Sequence, residues 1–162
     1  MPYSSGDIKF YNSTQGLGGE IGNPLPNNAL HSVFPPLTSE ELVGGVTDYA
    51  CIYIVNTTQN KTFYRVRVYI QEAPDSRPQG KKETIYIGLD PQSGSPVQTI
   101  PNRTTPPQNV SFFTPINYAQ GVEIGTLPPG GKQAIWLKRE APPGTQGVTN
   151  AKLTLAVEGF AI

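Results

Sequence analysis

One imidazole, one thiol and twelve carboxylates are the chain's main stock of reactive groups. Nucleophilic catalysis of the usual triad kind needs an imidazole base held within hydrogen-bond reach of its nucleophile. The one candidate, His31, stands in an Asn- and Pro-rich stretch that offers no rigid element to hold it, so it reads as a surface or capping residue. A zinc site draws on several Cys or His ligands, which one of each cannot supply. Calcium takes carboxylates and carbonyls from loops, but Asp48, Asp75 and Asp90 stand apart and no loop has the EF-hand spacing. Glycoside hydrolysis needs two carboxylates facing each other across a cleft. Glu40/Glu41 and Glu72/Asp75 are neighbours in sequence only, and capping and solvation account for them. Residues 125–133 glance at a phosphate loop and miss it: a second glycine precedes Lys132, Gln133 takes the hydroxyl residue's place, and a strand pattern follows. Residues 16–22 miss the dinucleotide spacing because Ile21 holds the third glycine's place. Asn12, Asn56, Asn60, Asn102 and Asn109 each open an Asn-x-Ser/Thr sequon, which reads as a by-product of Asn- and Thr-rich turns. The residues therefore point to no enzyme, no cofactor and no metal centre.

The totals point the same way. Twelve basic and twelve acidic residues cancel, which removes the clustered basic field that a nucleic-acid or anionic-membrane partner would need. Charged residues make up 15% of the chain, against roughly 25% in ordinary soluble domains. So neutral and Asn/Gln/Thr-rich a surface suits a protein that lies against neighbours, though many sandwich modules are simply polar and neutral. Seventeen Pro and seventeen Gly have no collagen period and punctuate short strands. Lone Cys51 lies inside an apolar run and reads as an inert buried thiol. The first ten residues lack the basic and apolar segments of a signal peptide, and no window approaches the roughly 18 apolar residues of a membrane helix. The expectation is a soluble protein made in a cytoplasm.

The elements that would position these groups are strands. Residues 49–55 are apolar at every position, which predicts a strand covered on both faces. Polar turn formers at 56–61 follow, and residues 62–72 then alternate, with Tyr64, Val66, Val68 and Ile70 on one side and Arg65, Arg67, Tyr69 and Gln71 on the other. Together they predict a hairpin. Further strands are expected at 7–11, 83–89, 97–100, 110–113, 122–124, 133–139 and 151–160. In the 133–139 strand, Ile135 and Leu137 face one way and Ala134, Trp136 and Lys138 the other. In the last, Leu153, Leu155 and Val157 point inward and Lys152, Thr154 and Glu158 outward. About eight short antiparallel strands with regular turns make an all-β fold, a single β-sandwich or jelly-roll-like domain. Trp136, Tyr69 or Tyr86 on an outer face could stack a sugar ring; burial in the core or at a subunit contact is the preferred reading for a Trp.

The chain divides into residues 1–46, a short first strand plus an extended Gly/Pro/Asn-rich arm, and residues 47–162, the sandwich. Thr38-Ser39-Glu40-Glu41 has the capping-box spacing and predicts one helical turn before Leu42. The arm's apolar residues, Leu17, Ile21, Leu25, Leu30, Val33, Phe34, Leu37 and Leu42, argue against plain disorder and need a surface. Either the chain's own sandwich or a neighbouring subunit can supply it, and the neighbour is the favoured reading. Pro24, Pro26, Pro35 and Pro36 restrict the unfolded arm and lower the cost of ordering it on a partner. On that reading, removing residues 16–41 leaves a folded sandwich with weakened attachment.

Several stretches together carry a resemblance: Thr47-Asp48-Tyr49-Ala50-Cys51-Ile52-Tyr53-Ile54-Val55-Asn56, Ile87-Gly88-Leu89-Asp90-Pro91, Leu127-Pro128-Pro129-Gly130 with Trp136-Leu137-Lys138-Arg139, and Leu153-Thr154-Leu155-Ala156-Val157-Glu158-Gly159. Over about residues 47 to 160, in strand and turn pattern, the chain resembles the head-decoration or capsid-cement proteins of tailed bacteriophages. The resemblance implies a non-enzymatic virion protein, made in the bacterial host cytoplasm, that binds the major capsid protein on the outside of an icosahedral head and stabilises it. It implies a homotrimer whose arm reaches a neighbouring subunit, and no nucleic-acid or membrane partner. It transfers no individual binding residue. Another virion component, of tail, neck or fibre, and a carbohydrate-binding or adhesin-like module are the alternatives.

Overall fold

A computed structural model of the chain describes residues 7–25, 33–71, 77–147 and 154–161. The elements, in chain order, are β1 (Ile8–Ser13), β2 (Ile21–Pro24), α1 (Ser39–Gly44), β3 (Val46–Asn56), β4 (Phe63–Gln71), β5 (Thr84–Leu89), β6 (Phe112–Phe113), β7 (Val122–Leu127), β8 (Lys132–Ala141) and β9 (Thr154–Ala161). They form two antiparallel sheets: a six-stranded one ordered β2-β1-β3-β8-β5-β6 and a three-stranded one ordered β7-β4-β9. The fold is all-β and sandwich-like. Among the described residues no helix is long and apolar enough to cross a membrane.

The unbroken apolar run of β3 determines its place. A strand buried on both faces belongs in the centre of a covered sheet, and β3 has β1 on one side and β8 on the other. Its even residues Ala50, Ile52 and Ile54 meet Phe63, Val66 and Val68 of β4 between the sheets, with Ile135 and Leu137 of β8. Its odd residues Cys51, Tyr53 and Val55 join Ala134 and Trp136 in a second apolar cluster on the far side. The lid of that second cluster is largely irregular chain: Leu17 from the β1–β2 connection, with Ile21 at the start of β2, and Val97, Ile100 and Val110 from the long β5–β6 connection.

The two lid segments hold each other by main-chain bonds, Gly19 N to Gln98 O (3.2 Å), Val97 N to Gly19 O (3.1 Å) and Ile100 N to Leu17 O (3.0 Å). Gly18 sits where they cross: a Cβ there would lie 2.0 Å from the Gln98 carbonyl oxygen, and its φ of +97° is one that side chains rarely adopt. Trp136 is buried under this lid and donates its indole N–H to Asp90 Oδ2 at 2.8 Å, which satisfies a polar atom that burial would otherwise strand.

Two expectations are corrected here. β3 and β4 are not a hairpin; the chain leaves the large sheet at Asn56 and enters the small one at Phe63. Buried Asn56 turns it, accepting from Thr58 N–H at 3.0 Å and donating to the carbonyls of Lys61 (2.8 Å) and Leu127 (3.0 Å). With both edges of β3 taken, β4 is free to build a second sheet, and its polar alternate positions suit one with an open face. Nor do residues 97–100 form an edge strand: Thr99 makes one isolated bridge to Gly18, and the segment serves as lid. The last strand follows its expected alternation where it is described: Val157 is buried and Glu158 exposed, while Leu153 and Lys152 lie outside the described residues.

Candidate contact surface

The buried ionisable groups are engaged in holding the fold. Asp48, fully buried at the start of β3, accepts from Arg139 Nε (2.9 Å) and Nη2 (2.7 Å) and from Arg103. Arg103 also reaches Glu41 (3.1 Å), and Arg139 donates to the Pro35 carbonyl (2.9 Å) with its guanidinium over the Phe34 ring at 4.7 Å. This network ties α1, β3, β8 and the segment before α1 together. The Thr38 main-chain N–H, donated to Glu41 in the capping box, lowers the Glu41 pKa, burial opposes it, and the charge of Arg103 adds to the lowering. Asp90 holds Trp136 and Gln98, and Arg77 binds Glu83 bidentately. Burial, then the charge of Asp90, pushes the Cys51 thiol pKa far up, so a thiolate nucleophile there is disfavoured. Among the described residues no group of three His, Cys, Asp or Glu gathers as a metal site would; His31 and Asp75 lie outside those residues.

The outer face of the small sheet differs in kind. β4 carries a bulge: Arg65 has φ +53°, and the register with β9 shifts between Tyr64 and Arg67. The extra residue resets the alternation, so Phe63 and Val66 both point inward while Tyr64 is turned out beside its cross-strand partner Phe160. Both rings are left exposed, Tyr64 at 38% and Phe160 at 45%. A 3-10 turn, Tyr118–Gln120, brings Tyr118 onto the same face, edge-on to Phe160 (centroids 6.1 Å, planes at 90°), with its hydroxyl donating to the Arg65 carbonyl at 2.7 Å.

Arg67 is the polar centre of this face. Register puts it opposite Glu123 on β7 and Glu158 on β9. It pairs with Glu123 at 2.6 Å, a bond that raises its pKa, and its guanidinium lies 4.9 Å from the centre of the Tyr118 ring. Glu158 instead accepts from the Tyr69 hydroxyl at 3.1 Å; burial first and this bond second raise the Tyr69 pKa. Among the described residues the Arg65 guanidinium has no partner. Exposed aromatic rings with Arg are the composition enriched at protein–protein contacts.

Five of the described apolar arm residues lie against the chain's own clusters. Phe34 is buried in the main core at 1% exposure, with Leu25 and Val33 packed against that core. Leu17 and Ile21 pack on the second cluster, and Leu37 and Leu42 are half-buried. Leu30 lies outside the described residues. The partner-contact assignment is corrected for Phe34, which the chain's own core encloses; Leu17, Ile21, Leu25 and Val33 rest partly on the two clusters, and Leu37 and Leu42 belong to neither. The proline-stiffened segment ends on Arg139, which grips it through the Pro35 carbonyl. Removing residues 16–41 would take away β2 and Phe34, so an intact sandwich is no longer expected from that deletion. Among the described residues of the arm the most exposed apolar one is Val43, at 75%, which the sequence reading left out.

Tyr64 and Phe160 were missed for different reasons. Alternation carried straight through Arg65 puts Tyr64 inside, and only the adjacent pair Phe63-Tyr64 hints that one ring must turn out. Phe160 has the parity of Glu158 and was legible as an outward residue. Trp136, considered as a sugar platform, is core instead. No family model, curated protein or solved structure matches the chain.

Proposed function

We propose that the protein is a non-enzymatic structural component of a virion, a decoration protein that binds the outside of an icosahedral capsid and stabilises it. The observation that carries this reading is the aromatic outer face of the small sheet. The central strands of the large sheet spend both faces on the protein's own core and lid, and among the described residues its exposed ring, Phe113, stands alone at the β6 edge. The small sheet leaves Tyr64 and Phe160 uncovered, with Tyr118 and the Arg67–Glu123 pair beside them. A surface of this composition is built for contact with protein. The contact surface thus moves from the arm, where the sequence alone puts it, to the sheet. A sugar platform of coplanar rings fits less well, because Tyr118 and Phe160 meet at 90°.

The reading is tested by sedimenting the full chain with purified empty heads that lack it, followed by electron microscopy. Pelleting at a fixed copy number, with new density on the outer surface, is the expected outcome. Density confined to a tail or neck would replace the capsid assignment by another virion role. A protein that stays in the supernatant would remove the virion reading altogether.

A further inference from the structure

We propose that this face pairs with the same face of a second copy about a two-fold axis, Arg65 of each copy meeting Glu158 of the other. The inference rests on the reading of the face as a contact surface and names its partner. What selects a second copy is the charge left over after the internal pairs are made. Arg67 and Glu123 satisfy each other at 2.6 Å. Among the described residues that leaves the Arg65 guanidinium with no partner, and the Glu158 carboxylate, though opposite Arg67 in register, bonded to the neutral hydroxyl of Tyr69 and to no cation. Arg65, exposed on the central strand, and Glu158, exposed on β9, are a cation and an anion on one face with no ion pair among the described residues, and such a face complements itself. A two-fold axis passing between them makes both pairs at once, because in such an interface residue i meets j and j meets i. A partner of either sign would satisfy one group and leave the other opposed.

The aromatic groups fit the same arrangement. Tyr64 and Phe160 neighbour Arg65 and Glu158 along β4 and β9, so the rings are brought together by the rotation that pairs the charges. The bulge matters here, since it both exposes Tyr64 and projects Arg65. The face is small. Three strands spaced about 4.8 Å apart and about 25 Å long give on the order of 350 Å², below the roughly 800 Å² per partner of a stable complex. Association is therefore weak and concentration-dependent, and it gains force where copies are held side by side on a lattice.

Sedimentation velocity of the full chain from about 10 μM to about 1 mM tests it, a range chosen for contacts of this size. The expected result is a reversible monomer–dimer equilibrium. Arg65→Glu and Glu158→Arg each weaken it by about tenfold or more, and the double swap Arg65→Glu/Glu158→Arg restores it. Phe160→Ser, at an exposed position, weakens it without altering charge, and far-ultraviolet circular dichroism checks that each variant is folded. A monomer throughout the range overturns the proposal. So does a trimer, the state the phage resemblance implies, because a two-fold contact closes at two. Single reversals without effect, or a double swap that fails to restore pairing, overturn it as well. A monomer that still binds empty heads removes the pairing and leaves the virion reading; a dimer that ignores heads does the reverse.

Discussion

Replacing Phe34 by alanine measures whether the arm belongs to the fold. The ring is 1% exposed, in contact with the main core on one side and with the Arg139 guanidinium 4.7 Å away on the other. Removing a buried Phe costs about 3–5 kcal/mol when the site cannot collapse. Collapse is resisted here, because Arg139 is held by Asp48 through two bonds and by the Pro35 carbonyl through a third. The upper half of that range is therefore expected, with about 1 kcal/mol of it from the lost ring–guanidinium contact. At about 2–4 °C per kcal/mol for a chain of this size, the thermal midpoint falls by roughly 8–20 °C. Urea unfolding followed by Trp136 fluorescence gives the free energy directly, and Val43→Ala on the same arm serves as control at within about 0.5 kcal/mol of wild type. A loss below about 1 kcal/mol for Phe34→Ala would mean that the arm rests elsewhere, and the home-packed account would be wrong.

Asp48→Asn leaves two guanidiniums facing one neutral amide, and a loss of about 3–5 kcal/mol by urea unfolding is expected; a change under about 1 would show that the network is not binding α1 to the sheets. Gly18→Ala places a Cβ 2.0 Å from the Gln98 carbonyl oxygen at φ +97°. A destabilisation well above the about 1 kcal/mol of an average substitution is expected, with faster proteolysis in the lid, and a neutral result would refute the tight crossing. The Glu41 pKa is lowered from its ordinary 4.5, so its contribution is present above that value and is lost as pH falls through the folded value. Thermal midpoints of wild type and Glu41→Gln should differ at pH 7 and draw together as pH falls below 4.5 and through the lowered folded value; a gap that does not shrink on acidification would assign the effect to something other than ionisation.

The sequence was most informative where a residue pattern had one physical solution. An apolar residue at every position of 49–55 could only mean a strand covered twice, and β3 is that strand. Thr38 and Glu41 at capping-box spacing make both reciprocal bonds. Ile135 and Leu137 face one core, Ala134 and Trp136 the other. Pairing was not legible, because nothing local tells β3 that its neighbours are β1 and β8, and a polar connection at 57–62 reads equally as a hairpin or as a step between sheets. The lid was missed because irregular chain rich in Gly and Pro has no periodicity, although Leu17, Ile21, Val97 and Ile100 announced that something would be covered. The contact surface was half visible: parity gave Arg67, Tyr69 and Glu158 an outward place, but the bulge at Arg65 depends on strand register and hid Tyr64.

The most direct measurement compares wild type with Tyr64→Ser/Phe160→Ser for retention on empty heads, by sedimentation at equal concentration. Both rings are exposed, so the variant should keep the wild-type circular dichroism and thermal midpoint. Wild type is expected in the pellet, with the variant's bound fraction reduced by about tenfold through loss of reinforcing contacts between copies. Equal retention of the two proteins, or neither protein binding, would contradict a virion protein that works through this face.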